Sequence, residues 1–322
     1  MNPSSSSEPT ATAPADPAAP RCEEAAPPAG GPPPFYAFAD LASAWLAEAE
    51  AARVACLSGK PRGPVTGFAK LDRELGGYLR PGLHFVHGEP GTGKTNYALQ
   101  VAAACGAPAL FVSCEMGRLV LASRTVARVT RTHLGKLDGG ELSPAAMADL
   151  FARAALACPM LALMDATRAY ADPAVIRDRA ELWREAHGAA SCLVVIDSLH
   201  TWAAGKPCGD YLPSEYEAVN DALGSLQRMA ADLAAPVLVV AERNRASMAN
   251  PGQSSAKGSA RIEYSAESVV SLNRDEDSAG EWRQDASGER HLFAKLAKNR
   301  NGDTGRKLEM RFSGALATIR EA

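Results

Sequence analysis

The sequence predicts an α/β fold, a doubly wound and mostly parallel sheet with helices on both faces and an antiparallel extension near the C-terminal end. Three observations predict it. Short apolar runs recur at 83–87, 109–114, 160–165, 192–197 and 236–241. They are continuous rather than alternating, as strands covered on both faces are. Between them lie stretches of helix formers with apolar stripes, such as 95–105 and 215–233, and alternation of the two kinds indicates βα units wound round one sheet.

Taken in order, residues 1–34 come first and are mostly Ser, Pro, Ala and Gly, with about ten of the chain's 22 prolines. Such a segment cannot bury enough apolar surface to offset its ordering entropy, and is expected to be a disordered tail. From Asp40 the apolar residues Leu41, Trp45, Ala49, Ala52 and Cys56 recur at helical spacing, with Glu48, Glu50 and Arg53 between them. That pattern predicts a linker helix within 35–63, capped by Asp40 and ended by Gly59, Pro61, Gly63 and Pro64. Packing of this helix on its own domain and docking on a neighbouring subunit fit the pattern equally. Residues 64–322 are expected to form one domain. After the five apolar runs, 268–272 reads as a further strand, and 291–297 and 307–312 as its antiparallel continuation.

Gly88-Glu89-Pro90-Gly91-Thr92-Gly93-Lys94-Thr95 follows the first apolar run and opens the next helical stretch. The spacing G-x-x-x-x-G-K-T in that context is a phosphate-binding loop: its glycines let backbone N–H groups turn inward at a helix N-terminus. It predicts a site for ATP with Mg²⁺ built from Gly88 to Thr95 and the adjoining Asn96. Lys94 would bridge the β- and γ-phosphates, and the Thr95 hydroxyl would ligate the metal. Asp197 closes the strand Leu193-Val194-Val195-Ile196, where a carboxylate holds the Mg²⁺ hydration; alone it would read as a turn or cap residue. Glu115 follows Phe111-Val112-Ser113-Cys114, within reach of an attacking water as general base. Its bland reading is a surface carboxylate capping the next helix.

A chain of 322 residues with 46% hydrophobic and 22% charged residues is ordinary for a globular protein. The net charge of −3 gives no global basic signal, so any nucleic-acid contact must come from a local patch. The N-terminal stretch lacks the basic and apolar regions of a secretory signal, and no apolar run is long enough to span a bilayer. Seven cysteines form no Cys-x-x-Cys pair, and Cys105, Cys114, Cys158 and Cys192 lie in apolar stretches as reduced core residues. A cytoplasmic location is expected. The six histidines have no metal-ligand spacing. Tyr170, His200 and Trp202 are expected to pack in loops, and Trp45 to anchor a core or an interface.

From about Asp40 onward the chain resembles the ATPase domain of DnaB-type replicative helicases, within the RecA-like P-loop superfamily. Thr66-Gly67-Phe68, Leu71-Asp72, Gly76 and Pro81-Gly82 resemble the approach to that family's P-loop. Cys114-Glu115-Met116 with Arg124 is similar to its Glu-Met motif and following arginine, and Ile196-Asp197-Ser198-Leu199 to its Walker B strand. Ala235-Pro236-Val237 with Asn244-Arg245 resembles the next strand and the start of a DNA-facing loop, and Ile262-Glu263 before Val269-Val270 the segment after it. Ala297-Lys298-Asn299-Arg300-Asn301-Gly302-Asp303-Thr304-Gly305 is similar to the segment that reaches a neighbour's γ-phosphate. The resemblance implies a RecA-like fold, ATP hydrolysis with Lys298 and Arg300 acting in trans, and a homo-oligomer, a hexameric ring acting on single-stranded DNA. It makes 40–57 the strap between subunits.

Three departures stand out. A tail precedes the linker helix where the family has a helical N-terminal domain, leaving that tail as the route to a protein partner. The family's γ-phosphate-sensing Gln corresponds to Glu242, and a carboxylate cannot donate the amide's hydrogen bond. The 246–261 loop lacks the helicases' Asp-Leu-Arg-Glu run, so Arg245, Lys257 and Arg261 are the DNA-contact candidates in that region. These departures motivate the alternative of a RecA- or KaiC-like ATPase that switches a protein partner without unwinding.

Overall fold

The computed structural model describes residues 35–209, 211–242 and 261–322. The expected tail, Arg245 and Lys257 therefore lie outside the described residues. The chain divides into two compact units, Met1–Ser58 and Gly59–Ala322.

In the first unit a 3₁₀ turn, Phe38–Leu41, leads into helix α1, Ala42–Ser58. Asp40 lies inside that turn and does not cap the helix: the turn begins after Ala37, and the Asp40 N–H is spent on the Ala37 carbonyl at 2.9 Å. Gly59, at φ +65°, ends α1 as expected. None of the α1 residues is buried, and Trp45 is 69% exposed, so Trp45 is not a core anchor among the described residues.

The second unit runs α2 (Ala69–Glu74), β1 (Gly82–Gly88), α3 (Lys94–Ala104), β2 (Ala109–Ser113), α4 (Arg118–Thr130), α5 (Leu134–Asp138), α6 (Pro144–Ala157), β3 (Leu161–Asp165), α7 (Pro173–Ala186), β4 (Leu193–Asp197), α8 (Leu199–Ala204), α9 (Glu215–Leu233) and β5 (Pro236–Glu242). β6 (Ala266–Arg274), β7 (Arg290–Asn299), β8 (Lys307–Ser313) and β9 (Thr318–Glu321) complete it. The nine strands form one sheet in the order β3-β2-β4-β5-β1-β6-β7-β8-β9. The first six positions are parallel, and β7, β8 and β9 are antiparallel additions.

Each central strand sends alternate side chains to two cores. Val86, Phe111 and Val195 face α3 on one side. Phe85, Val112 and Ile196 face α7, α8 and α9 on the other, against Ile176, Leu199 and Leu226. Every residue of β2 and β4 is buried, which is why their sequences read as unbroken apolar runs. Each fully buried Leu, Ile or Phe contributes roughly 1.5–3 kcal/mol. Helix starts follow local chemistry. Ser143 and Asp172 cap α6 and α7 ahead of Pro144 and Pro173, and Ser214 with Glu217 forms a capping box on α9.

The C-terminal strand returns to the start of the unit. Glu321 accepts from the Lys70 and Leu71 N–H groups at 2.8 and 3.1 Å, satisfying the first turn of α2. Asp72 accepts from the Thr66 N–H and hydroxyl at 2.6 and 2.7 Å, folding the Thr66-Gly67 turn onto α2. Cys105 and Cys192 are buried free thiols as expected. Cys114 and Cys158 are only partly buried, a correction explained by their positions just past the end of β2 and at the C-cap of α6. No helix among the described residues is long and apolar enough to cross a membrane.

His84 on β1 is buried between Ser268 Oγ at 2.8 Å and the Arg80 carbonyl at 2.7 Å. Burial pushes its pKa down to about 4, against a smaller opposing pull from the Arg80 carbonyl. The folded chain therefore binds fewer protons here than the unfolded chain between pH 6.5 and about 4, and stability falls as pH drops through that window. Urea unfolding should give about 2 kcal/mol less stability from this group at pH 5 than at pH 7.5. His84→Gln should flatten that part of the profile.

Candidate active site

The carboxyl ends of four adjacent strands, β2, β4, β5 and β1, form one edge of the sheet. Ser113 is paired with Asp197, Asp197 with Val240, and Gly88 with Glu242. Three positions singled out in the sequence thus share one crevice: the loop that follows β1, Asp197 at the end of β4, and Glu115 two residues past β2. Ligands of open α/β sheets bind in such crevices.

The loop 88–93 turns directly into α3. Gly91 and Gly93 have φ +82° and +85°. A Cβ on Gly88 would come within 2.5 Å of the Leu272 carbonyl oxygen, so the loop needs glycine there. Gly93 offers α3 no side-chain cap, leaving the first N–H groups of an 11-residue helix for an anion. Lys94 Nζ donates to the Gly88 and Glu89 carbonyls at 3.0 and 3.2 Å. Burial lowers its pKa, while Glu242, Glu115 and Asp197 oppose that shift through their charge. The charges of three carboxylates therefore act on one half-buried ammonium, and a triphosphate on the loop would compete with them for it. Asn96 is buried and its Oδ1 accepts from Arg124 Nη1 at 2.8 Å, so its side chain braces α4 as well as lying beside the loop.

Asp197 is 1% exposed, and neither carboxylate oxygen has a hydrogen-bond partner among the described residues. Burial, with the charge of Glu115, pushes its pKa up to about 6, opposed by the Thr95 hydroxyl and by the charges of Lys94 and Arg124. A buried carboxylate left in that condition beside a hydroxyl fits a hard divalent cation, which takes oxygen ligands. Among the described residues no cluster of three or more His, Cys, Asp or Glu forms another metal site.

Glu115 is exposed in the crevice, and its Oε1 accepts from the Ser198 hydroxyl and, at 3.0 Å, from the Thr201 hydroxyl. Sequence reasoning gave neither donor a role of its own, since serine and threonine after a strand carry no such signal. It also passed over Arg274, whose Nη2 donates to the Pro90 carbonyl at 2.9 Å and braces the loop apex. Its guanidinium lies 5.0 Å from the Trp282 ring centroid.

Lys298 and Arg300 are not brought to this crevice. Arg300 donates to the Glu267 carboxylate at 2.8 Å and the Tyr264 carbonyl at 2.9 Å, and Lys298 to the Glu263 and Tyr264 carbonyls. Glu267 follows Ala266, the partner of Leu83 at the start of β1, whereas Gly88 pairs with Leu272. Five residues of strand, roughly 16 Å, separate the two levels. Arg261 is exposed. Trp202 is buried with its indole N–H on the Ala171 carbonyl at 2.8 Å and its ring stacked on Tyr170 at 5.7 Å. These two, with Thr201 and Arg168, line a cavity of about 240 Å³; His200 is half-buried beside them on α8.

Residues 63–321 match the family described as DnaB-like helicase C terminal domain. A curated relative, the replicative DNA helicase DnaB of Geobacillus stearothermophilus, is 27% identical over 259 residues, covering 77% of this chain and 54% of the relative. The chain thus spans about half the length of that relative. A solved ATPase domain superposes with a TM-score of 0.72 at 19% identity, covering 88% of this chain and 98% of that one. A DnaB-like replicative helicase, solved in a study of its interactions with primase, gives 0.67 at 18% identity, covering 89% and 67%. Both likenesses bear out the RecA-like fold with its antiparallel extension.

Proposed function

This chain belongs to the family of DnaB-like helicase C-terminal domains, and we propose that it is an ATP-hydrolysing, oligomeric helicase or translocase on single-stranded DNA. Backbone N–H groups of the loop Gly88–Thr95, Pro90 having none, and of the first turn of α3 with Asn96 take the triphosphate, and Lys94 exchanges the Gly88 and Glu89 carbonyls for phosphate oxygens. Thr95 and Asp197 would hold Mg²⁺, which would supply positive charge to the phosphates. Glu115 orients a water toward the γ-phosphate and accepts its proton. Glu242 stands beside Gly88 as the position that senses the γ-phosphate, with a carboxylate in place of an amide.

The observation that carries the reading is the division of this machinery within one chain. The crevice holds the loop, the metal carboxylate and the base, while Lys298 and Arg300 sit at the far end of β6 and β7. A site completed by a second copy needs head-to-tail contacts, which give a ring when the rotation between copies closes; a hexamer is the ring we propose. Lys298 and Arg300 then stabilise the charge that develops on the neighbour's γ-phosphate. The 243–261 region, with Arg245, Lys257 and Arg261, is the proposed contact to the DNA backbone.

The test is steady-state ATP hydrolysis at low salt, with and without single-stranded DNA, using Glu115→Gln as the blank. Several-fold stimulation that is absent in the blank and fades as salt rises is expected, because phosphate contacts release counterions. Hydrolysis indifferent to DNA would instead favour an ATPase that switches a protein partner.

A further inference from the structure

Glu115 lies on a short turn after β2, and nothing on its own element fixes its side chain. Its carboxylate is held from a different strand. Ser198, the residue after Asp197, and Thr201, in the first turn of α8, both donate to Oε1, and the two hydroxyls are 3.1 Å apart. No hydrogen bond to Oε2 is present among the described residues.

Two features show that this arrangement is more than a loose surface contact. Ser198 occupies the N-cap position of α8, where a serine hydroxyl ordinarily accepts from the helix's first N–H groups. Here it makes no such bond and is turned to Glu115 instead. Both donors also stand on a rigid base, since Ser198 is buried and α8 is anchored by the buried Leu199 and Trp202. A carboxylate fixed by packed elements keeps its orientation better than one held from a loop.

We propose that Ser198 and Thr201 are positioning residues for Glu115. Their hydroxyls fix Oε1 and leave Oε2 to take the attacking water and its proton. The proposal rests on Glu115 being the base. It also explains how the base after β2 stays registered with the carboxylate at the end of β4, because Ser198 adjoins Asp197 and the Cys114 N–H donates to the Asp197 carbonyl at 2.7 Å.

The test measures kcat and KM for ATP, and the affinity of a fluorescent ATP analogue, on the full chain. The Ser198→Ala/Thr201→Val double variant should lower kcat about tenfold or more, as misplacement of a reacting group does. KM and analogue affinity should stay within about two-fold, which also shows that the variant is folded. Thr201→Ser, which keeps the hydroxyl, should retain most of the kcat that Thr201→Val loses. An unchanged kcat in the double variant, or equal losses in Thr201→Ser and Thr201→Val, overturns the proposal. Glu115→Gln run in parallel separates the two ideas. If it is inactive while the double variant is fully active, the positioning role alone fails; if Glu115→Gln still turns over, the base reading fails and the positioning role with it.

Discussion

Replacing Arg300 with alanine should lower ATP turnover by about a thousand-fold or more while leaving nucleotide affinity within about two-fold. The expectation follows from where the residue sits. Its guanidinium is paired with Glu267 and the Tyr264 carbonyl, level with the start of β1, while the phosphate loop lies at the other end of that strand. It lies away from its own chain's crevice, so on the proposed trans role its loss should spare binding there and remove charge stabilisation from a neighbouring copy. The fold should tolerate the change, because Arg300 is half exposed and ion pairs of that kind contribute little. Mixing provides the sharper measurement. An Arg300→Ala subunit keeps an intact Glu115, and a Glu115→Gln subunit keeps an intact Arg300. Each is expected to be inactive alone, and a mixed assembly would contain some sites with both groups whole. Partial recovery of hydrolysis on mixing is expected; full activity of Arg300→Ala alone, or no recovery, would remove the trans role.

The division between what the sequence disclosed and what it concealed has a physical basis. Strands buried on both faces leave unbroken apolar runs, and β1, β2, β4 and β5 were legible for that reason, whereas β7 and β8 alternate buried and exposed residues and were legible from their place after the last parallel strand. The phosphate loop was legible because glycine is required where Gly88 nearly touches the Leu272 carbonyl and where Gly93 turns into α3. β9 was missed: Thr318-Ile319-Arg320-Glu321 is four residues long and sits at the sheet edge, too short for periodicity. What holds it is tertiary, the Gln100 side chain bonded to both backbone groups of Ile319 at 2.7 and 3.0 Å. Asp40 misled because an acidic residue ahead of an apolar stripe looks like a cap, yet a 3₁₀ turn had already begun. The hydroxyls on Glu115 and the Arg274 brace were invisible because each joins strands that are neighbours in the sheet but far apart in sequence: 83 positions separate Ser198 from Glu115, and 184 separate Arg274 from Pro90. Motifs disclose residues whose role is fixed by local spacing; supporting contacts depend on how the sheet brings strand ends together.

Glu115→Gln should reduce hydrolysis by about a hundred- to ten-thousand-fold, the range that a general base supplies. The substitution is close to isosteric, and the amide oxygen can still accept from Ser198 and Thr201, so the side chain should stay where the carboxylate stands. What it loses is the capacity to take a proton from water. Nucleotide binding should persist and tighten slightly, because Glu115 is one of three carboxylates whose charge acts on Lys94. Removing it leaves Asp197 and Glu242, and frees part of the ammonium's field for the phosphates. Asp197→Asn offers the contrast, since it alters the buried carboxylate that fits the cation and should weaken Mg²⁺-dependent nucleotide binding itself. Equilibrium binding of a fluorescent ATP analogue, with and without Mg²⁺, distinguishes these outcomes alongside single-turnover hydrolysis. A Glu115→Gln protein that binds normally and hydrolyses normally would move the base to another group in the crevice. Glu242 would be next in line, as the remaining carboxylate acting on Lys94 that is not proposed to hold the metal.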